Sequence, residues 1–464
     1  MDYDVLILGG GVIGCSVAYE LSKYNFNIAL IERGYDIVDD ISFVNTSVIY
    51  DGSESSNDTT ALLEKEGSEL IREACKQFDV ECNKVGSLRI ARNPEEEEVI
   101  ERMYKLAIKR GIEKVRLIDS NEAYTLEEGL RDIKITKALY SENVSVINPY
   151  DLAIAYGEVA ADNGVNFRFQ EEVLDIEEIS KGFKVITSKN KFKCKVVINT
   201  IMNDSILESE KKVKGKEVID NMTYLLIDNV IKNPLKRIVI QNIQDDSFLL
   251  NIPNLDQGSI IGIKNTAKLD KEEMLQYAKN IIPQISENNI INIFNEEINW
   301  AMIIDYSDID EGYIRVTGNH YSKITLAPAI SKIICETISQ NLNTKLKKQF
   351  INKRREVYRF RNMTNEERNQ IINVDKRYGN IVCICNKVTE GEIIDCIRRP
   401  LGARTVEGIK KRTGAGMGSC YGSYCNIKII NILANEMDKK ATEIVHDSKN
   451  SNIWISRIKE FNDV

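Results

Sequence analysis

The feature that most constrains the fold of this chain is a glycine-rich turn near its N-terminus. Residues 4–8 form an apolar run typical of a strand buried in a parallel sheet, and residues 12–24 have a helical pattern. Between them, Gly9, Gly11 and Gly14 occupy the three glycine positions of G-x-G-x-x-G. The sequence therefore predicts a strand that enters a tight turn and continues directly into a helix.

The same turn predicts a dinucleotide site. The first glycine allows the tight turn, the second lets the backbone approach a pyrophosphate, and the third permits close packing of helix and strand. The helix N-terminus then faces the phosphates. Glu32 ends a second strand, residues 27–32, where an acidic side chain binds a ribose 2′-hydroxyl. Glycines alone also occur in purely structural turns, but strand, helix and acid together favour a nucleotide site. The pattern does not separate NAD from FAD.

Four cysteines near the C-terminus predict a second cofactor site. Cys383 and Cys385 form one close pair, and Cys420 and Cys425 form another. The pairs can converge if the segment between them folds back, and four thiolates around one point ligate zinc or an iron–sulfur cluster. Zinc sites more often use C-x₂-C pairs. The other cysteines are scattered, mostly among apolar neighbours, and are expected to be small buried residues: Cys15, Cys75, Cys82, Cys194, Cys335 and Cys396.

Length and composition narrow the class of protein. A chain of 464 residues is expected to form two or three domains, and 43% hydrophobic residues suffice for substantial cores. The net charge of −8 is spread over interspersed acids and bases, so we expect no nucleic-acid partner. The sequence contains no run of eighteen apolar residues, so we expect no membrane span. We expect a cytoplasmic protein with reduced or ligated cysteines, because no targeting segment is visible.

Several local signals place further elements. Asn148 followed by Pro149 predicts a helix start, with the helix ending near residues 163–164. Another helix is expected over residues 326–341. Capping boxes predict helix starts at Thr364 and Thr389. A further helix is expected after the last cysteine, and apolar segments at residues 196–199 and 248–252 predict strands.

The body of the chain resembles the FAD-dependent oxidoreductases of the D-amino-acid oxidase and glycerol-3-phosphate dehydrogenase superfamily. Besides the glycine turn, the resemblance rests on residues 85–91, 147–152 and 327–330, and it spreads over most of residues 1–340. It implies FAD as the cofactor. It also implies that the backbone at Val173 contacts the adenine, that Ser42 and Asn45 lie near the pyrophosphate or the isoalloxazine, and that the helix containing 327–330 returns to the flavin.

The chain departs from that family at four places. Tyr50 stands where the family usually has a histidine, and residues 200–202, Thr-Ile-Met, replace a small Ala-Ala-Gly turn. The family's Ser-Pro-Gly-Leu-Thr loop is shortened near residues 322–325. An arginine that often anchors an anionic substrate falls at Ile303 or Ile304. These departures disfavour a typical carboxylate or phosphate substrate.

Residues 378–437 resemble the bacterioferritin-associated-ferredoxin-like [2Fe–2S] domain. The resemblance is carried by residues 378–383, 388–393 and 412–420, and it implies a [2Fe–2S] cluster on the four paired cysteines. In this domain Ile384 replaces a common arginine and Tyr421 a common glutamine. Glycines near such a cluster let the backbone approach and direct N–H groups at the sulfurs.

Together, these observations predict an α/β chain. We expect a Rossmann-like FAD-binding domain with an inserted α+β substrate domain, followed by a small helical [2Fe–2S] domain. The expected segments are 1–345 for the oxidoreductase region (FAD-binding parts at about 1–85, 150–205 and 305–345, with the substrate domain between them), 346–377 for a linker, 378–437 for the [2Fe–2S] domain and 438–464 for a polar tail.

The expected function is flavin-dependent oxidation of a small amine, amino acid or hydroxy compound, with electrons passing through the cluster to a partner protein or quinone. The alternative is a catalytically degenerate relay or assembly subunit of a hetero-oligomer. The sequence does not identify the catalytic base. The chain has two histidines, and of these His320 lies closer to the flavin-approaching loop, while His446 lies in the tail. We expect an oligomer or a companion subunit.

Overall fold

The computed structural model of the protein describes residues 1–39, 47–201, 219–228, 234–243, 247–253, 258–265, 268–299, 302–305, 312–418 and 420–455.

The strands of the described residues are, in chain order, β1 (Tyr3–Leu8), β2 (Ile28–Ile31), β3 (Val48–Ile49), β4 (Cys82–Lys84), β5 (Ser87–Ala91), β6 (Val115–Asp119), β7 (Lys137–Ser141), β8 (Ser145–Ile147), β9 (Asn166–Arg168), β10 (Val173–Ile179), β11 (Gly182–Thr187), β12 (Lys191–Asn199), β13 (Ile219–Ile227), β14 (Ile238–Asn242), β15 (Phe248–Pro253), β16 (Ser259–Asn265), β17 (Ile290–Asn299), β18 (Ile303–Asp305), β19 (Tyr313–Thr317), β20 (Ile381–Cys383) and β21 (Val388–Thr389).

The α-helices of the same residues are α1 (Val12–Ser22), α2 (Asp58–Phe78), α3 (Pro94–Lys109), α4 (Ser120–Leu126), α5 (Pro149–Asp162), α6 (Lys271–Ala278), α7 (Lys323–Asn341), α8 (Asn365–Val374), α9 (Glu390–Arg398), α10 (Val406–Thr413) and α11 (Asn426–Met437).

The first sheet contains the predicted glycine-turn strand at its centre. Its strand order is β10-β11-β12-β1-β2-β9, and β19 pairs with the second half of β12. β1 runs parallel to both β2 and β12. Val5 and Ile7 face a core shared with α1, α5 and α7, whereas Leu6 and Leu8 face the opposite side. Because both faces of β1 are covered, four successive residues are apolar rather than alternating.

The second sheet is mostly antiparallel and has the order β17-β13-β16-β15-β14-β5-β7-β6. One face packs on α6, where Leu88 and Ile90 meet Met274. The other face contributes to a core with Tyr50 and Tyr321, which belong to the segments that approach the first sheet. This second face therefore looks toward the glycine-turn half of the molecule.

The C-terminal unit combines the β20–β21 hairpin with α9, α10 and α11 around its own core. The capping boxes at Thr364 and Thr389 are confirmed, since each side chain accepts from the backbone N–H of the glutamate three residues later. The helix after the last cysteine is also confirmed as α11. The architecture is thus the expected α/β fold followed by a small helical unit.

The structure differs from the sequence-based expectation in two segments. α7 begins at Lys323 instead of residue 326, because the Leu326 N–H donates to the Ser322 carbonyl oxygen and closes an additional turn. The expected polar tail is packed over residues 441–445, since Ala441 and Ile444 are apolar enough to join the core of the C-terminal unit.

Candidate cofactor sites and an interior acidic cluster

The glycine turn has the close packing that a dinucleotide site requires. Gly9 has φ +97°, a conformation that side chains other than glycine rarely adopt. A Cβ on Gly14 would lie 2.0 Å from the Gly9 carbonyl oxygen, so α1 starts closer to β1 than any larger residue allows. Gly11 is the N-cap of α1, and no side chain caps that end. Helix N-termini at this kind of turn bind anions such as a pyrophosphate.

Glu32 lies directly beside this turn. Its carboxylate accepts from the Gly10 N–H at 2.7 Å and from the Gly34 N–H at 2.7 Å. Burial raises the pKa of Glu32, and the two backbone N–H groups act in the opposite direction. The structure thus places the acid within reach of the glycine turn, while its contact with a ribose stays a prediction.

Of the remaining residues predicted to contact FAD, Val173 lies among the described residues, whereas the other two do not. Val173 starts β10, two residues after Glu171, whose N–H donates to the Glu32 carbonyl oxygen at 3.0 Å. Val173 is therefore close to the end of β2. Ser42 and Asn45 lie outside the described residues.

The bulkier residue at position 200 fits beside the turn. The Thr200 hydroxyl donates to the Leu8 carbonyl oxygen at 2.8 Å, at the end of β1. It also lies 3.0 Å from the position that a Cβ on Gly9 would take. This substitution for the family's small residue therefore closes the end of β1 without displacing the glycines.

The four predicted cluster ligands come together as two pairs. Cys385 Sγ lies 3.5 Å from Cys420 Sγ, and both residues are half-buried. Cys383 and Cys425 are buried and also interact through their thiols. Two thiolate pairs match the two irons of a [2Fe–2S] cluster, which takes four cysteines. Among the described residues, no three His, Cys, Asp or Glu side chains form a group that could hold one metal ion.

The surroundings of Cys420 and Cys425 shift the pKa values of these two thiols in opposite directions. The Cys385 thiol and the backbone N–H groups of residues 422–424 lower the pKa of Cys420. Burial raises the pKa of Cys425 to about 11, and the neighbouring Cys383 adds to this rise. A Cβ on Gly418 would lie 2.3 Å from the Cys385 Cβ, so only glycine fits this close approach. The donor set and the glycine-lined loop therefore fit the cluster.

A buried ion pair attaches the C-terminal unit to the segment that follows Glu32. Arg412 on α10 donates from both terminal nitrogens to Asp36, at 2.5 and 2.7 Å, and both side chains are almost fully buried. Arg412 also donates to the Leu401 carbonyl oxygen at 2.7 Å. Next to this pair, Lys411 binds Asp39. α10 is therefore fixed on the loop that leaves the predicted ribose site.

The linker contributes a second buried network on α5. Glu158 binds Arg354 at 2.6 Å and Arg399 at 2.7 Å, and Asp151 binds Arg354 at 2.6 Å. Burial alone would raise the pKa of Glu158, but the charges of Arg354 and Arg399 outweigh it and lower the pKa. The residues expected to form a linker are thus bound along α5.

An interior acidic cluster lies where the second sheet meets α2 and the start of α7. We define it as Asp51, Glu54 and Glu64. Arg89 on β5 donates from Nε to Glu54 at 2.7 Å, and Asp51 accepts from Ser53 and Ser141. Sequence reasoning missed Glu64. The available signal was its position on the buried stripe of α2, three residues from both Ala61 and Gly67.

Tyr50 and His320 lie beside this cluster, whereas His446 lies on the C-terminal unit. Tyr50 packs edge-to-face on Tyr321, with ring centroids 5.0 Å apart. Burial lowers the pKa of His320 to about 4, so its imidazole is neutral, and its Nδ1 lies 2.8 Å from the Ser322 hydroxyl. His446 is half-exposed on the C-terminal unit, with Nε2 3.2 Å from the Lys410 amine. Ile304 lies on β18, and its apolar side chain cannot bind an anion as the arginine of the family does.

No described helix combines the length and the apolar composition needed to cross a membrane.

Comparisons with known proteins agree with this geometry. Residues 4–337 match the FAD dependent oxidoreductase family, and residues 381–435 match the BFD-like [2Fe-2S] binding domain. The chain is 32% identical to a glycerol 3-phosphate dehydrogenase of Caloramator mitchellensis, over 97% of this chain and 98% of that protein. It is 25% identical to a glycerol 3-phosphate oxidase of Mycoplasma pneumoniae, over 74% of this chain and 96% of the oxidase.

The fold is shared with solved structures. L-alpha-glycerophosphate oxidase from Mycoplasma pneumoniae superposes with a TM-score of 0.68 at 24% identity, over 77% of this chain and 99% of the oxidase. Glycine oxidase from Geobacillus kaustophilus superposes with a TM-score of 0.61 at 20% identity, over 75% and 96% of the two chains. The protein therefore belongs to the FAD dependent oxidoreductase family and is an FAD-dependent oxidoreductase that also carries a BFD-like [2Fe–2S] domain.

Proposed function

We propose that the protein is a flavin-linked dehydrogenase that oxidises a small amine, amino acid or hydroxy compound and passes the electrons through its [2Fe–2S] cluster to a partner protein. Bound FAD supplies a hydride acceptor, and the cluster carries single electrons. Two relatives, a glycerol 3-phosphate dehydrogenase and a glycerol 3-phosphate oxidase, support oxidation of a small molecule.

This chain's own residues would hold the two groups. Gly9, Gly11 and Gly14 would receive the pyrophosphate at the start of α1, and Glu32 would bind the ribose. Val173 would contact the adenine through its backbone, with Ser42 and Asn45 nearer the pyrophosphate or isoalloxazine. The four cysteines of the two pairs would ligate the cluster: Cys383, Cys385, Cys420 and Cys425.

The observation that carries the proposal is the buried pair between Arg412 and Asp36. It joins the helix that precedes the Cys420 loop to the segment that follows Glu32. A buried pair with several hydrogen bonds holds one orientation, because removing either partner leaves an uncompensated charge. This attachment favours electron transfer inside one chain over independent action of the two units.

The surface around the cluster supports a protein as the acceptor. Ile384 lies between the first two cysteines and is 68% exposed, and Tyr424, between the last two, is 71% exposed. Tyr421 is exposed as well, so the side of the cluster with the half-buried cysteines is bordered by apolar and aromatic side chains. Exposed apolar side chains grouped in this way are typical of protein interaction sites.

Anaerobic purification tests the proposal directly. We expect FAD and two irons per chain, flavin absorbance that a substrate bleaches without oxygen, and subsequent reduction of the cluster. A preparation with zinc in place of iron, or one whose cluster stays oxidised while the flavin is reduced, would contradict the proposed route.

The relay or assembly role remains the second candidate, and two observations favour it. Tyr50 stands in place of the family's histidine, and His320 is buried and neutral. A flavin that dithionite and the cluster can reduce, but that no amine, amino acid or hydroxy compound bleaches, would establish this second role instead of the first.

A further inference from the structure

Glu64 is a buried acid without a partner that accounts for it. Its exposed fraction is 0%, and neither carboxylate oxygen makes a hydrogen bond of ordinary length and angle. The hydroxyls of Ser322 and Tyr321 lie beside it, but the Ser322 hydroxyl is already 2.8 Å from His320 Nδ1. An unsatisfied buried carboxyl is costly, so its presence in a packed interior calls for a ligand or a chemical role.

The surroundings of Glu64 are negative. Asp51 and Glu54 are its charged neighbours, and both raise its pKa. Among the described residues, Arg89 is bound to Glu54, and no cation donates a hydrogen bond to the Glu64 carboxyl. The group that would compensate Glu64 is therefore a cation supplied from outside the chain.

Glu64 lies where α2 meets the start of α7 and the second sheet. Three residues further along α2, Gly67 packs against the Thr325 backbone at the start of α7, where a Cβ would lie 1.8 Å from the Thr325 carbonyl oxygen. The Thr325 hydroxyl in turn accepts from the Tyr50 N–H at 3.2 Å. Glu64 thus lies at the junction of the FAD-binding half and the second sheet, and junctions between domains are preferred positions for small-molecule sites.

We propose that Glu64 is the counter-ion of a cationic amine substrate and accepts a proton from its ammonium group. This inference rests on the dehydrogenase function proposed above and narrows its substrate class to primary or secondary amines. When the ammonium binds, the acid proton of Glu64 leaves to solvent, and Glu64 becomes the carboxylate that pairs with the ammonium. In the transfer, an N–H bond of the ammonium then breaks and an O–H bond forms on Glu64, while the electron pair stays on nitrogen. The amine becomes neutral, which is the form that can lose a hydride from the adjacent carbon.

The acid–base properties of the cluster suit this role. Burial raises the pKa of Glu64 to about 8, the Ser322 hydroxyl opposes this shift, and Asp51 and Glu54 add to it. A proton acceptor works best when its pKa lies near the operating pH. His320 is a poorer acceptor because burial lowers its pKa to about 4. A dianionic phosphate placed beside the three carboxyl groups would be repelled.

The test uses the FAD-loaded, anaerobically purified protein and the probes 1,3-diaminopropane, N-methylethanolamine and glycerol 3-phosphate. Two readouts are needed: the rate of flavin bleaching, and the infrared C=O band of a protonated carboxylic acid at neutral pH. The variants are Glu64→Gln, Glu64→Asp and the control Glu66→Gln. Glu66 lies on the same helix and pairs with Lys332 at a half-exposed position.

We expect amines, and not glycerol 3-phosphate, to bleach the flavin. Glu64→Gln should slow amine-dependent bleaching by about 10²-fold or more, Glu64→Asp should retain part of the rate, and Glu66→Gln should match the unmodified chain. We also expect an infrared acid band that amines remove and that Glu64→Gln lacks.

Three results would overturn the inference, and they are distinguishable from failure of the proposed function. Flavin bleaching by glycerol 3-phosphate that Glu64→Gln does not affect would support a dehydrogenase but contradict an amine substrate. An acid band that amines leave unchanged would remove Glu64 as counter-ion, even in a protein that no probe bleaches. Equal rates in Glu64→Gln and Glu66→Gln would assign proton acceptance to another group.

Discussion

Arg412 and Asp36 form a buried ion pair across 376 positions of sequence, and the pair joins the cluster-bearing unit to the segment that follows the predicted ribose-binding acid. The same helix approaches Asp36 closely at Gly408, where a Cβ would lie 2.7 Å from a carboxylate oxygen of Asp36. α10 therefore lies directly on this segment. Two cofactor units held in this way have a fixed separation, which electron transfer inside one chain requires.

Replacing Arg412 by alanine should loosen this attachment. The variant leaves Asp36 buried and uncompensated, so we expect the free energy of unfolding to fall by about 3–5 kcal/mol. Limited proteolysis should then separate the C-terminal unit from the rest, and reduction of the cluster by the flavin should slow. The control is Arg398→Ala, since Arg398 pairs with Glu436 at an exposed position of the same unit, and its loss should lower stability much less than the loss of Arg412. Equal stability of the two variants would argue against a fixed attachment.

Replacing Gly14 by alanine should abolish tight FAD binding. The added Cβ would lie 2.0 Å from the Gly9 carbonyl oxygen, so β1 and α1 must separate, at a cost of about 1–3 kcal/mol. The FAD content of the purified protein and a titration with added FAD measure the effect. Gly379→Ala is the control, because its nearest neighbour atom would be 3.6 Å away. A Gly14→Ala protein with full FAD content would show that the turn does not hold the cofactor.

Replacing Cys385 by serine should remove the iron. Cys385 lies 3.5 Å from Cys420, and loss of one thiolate breaks the pair that serves one of the two irons. Iron and sulfide analysis under argon measures the outcome. Cys396→Ala is the matched control, since Cys396 is buried in the same unit and contacts its core. Iron retained by the serine variant, or lost equally by the control, would contradict the ligand assignment.

The buried acid of α2 should make stability depend on pH. The pKa of Glu64 is about 8 in the folded chain and near 4.5 when unfolded, so between these values the folded protein holds a proton that the unfolded chain has released. The stabilisation that Glu64 contributes to the folded state is fully present below pH 4.5 and is lost as the pH rises toward 8. The free energy of unfolding of Glu64→Gln, measured relative to that of the unmodified chain, should therefore rise by about 3 kcal/mol between pH 5 and pH 8. Denaturant unfolding at several pH values measures this gain.

The control for that measurement is Glu66→Gln, which removes a half-exposed carboxyl from the same helix and should not produce this gain. A Glu64→Gln protein with the same pH profile as the unmodified chain would mean that the acid is ionised in the folded state.

A charge placed on the exposed apolar surface beside the cluster should weaken the binding of a protein acceptor and slow its reduction. Tyr424→Glu puts a carboxylate at a position that is 71% exposed between two ligands. With a small iron–sulfur protein as acceptor, we expect the apparent KM to rise by roughly tenfold or more, while ferricyanide reduction, FAD and iron stay unchanged. Ile108→Glu, at a distant exposed position on α3, is the control. Equal losses with both acceptors would indicate damage to the cluster instead of a docking surface.

The sequence by itself determined the two cofactor units, because their signals are local. Gly9, Gly11 and Gly14 follow a buried strand and start a helix within a few residues, and the cysteine pairs have only one or four residues between their members. The capping boxes at Thr364 and Thr389 are equally local, which is why these helix starts are confirmed.

Only the tertiary structure decided how the units meet and which acid is buried. Arg412 meets Asp36 and Arg399 meets Glu158 across more than 240 residues of chain, and no spacing rule connects such positions. Glu64 lies on the buried face of α2, but in the sequence it is one of several charged residues of a long helix. Its raised pKa arises because burial removes water and the packing of α2 brings Asp51 and Glu54 close. Long-range contacts of this kind depend on the whole fold, since burial and neighbouring charge are properties of position in space.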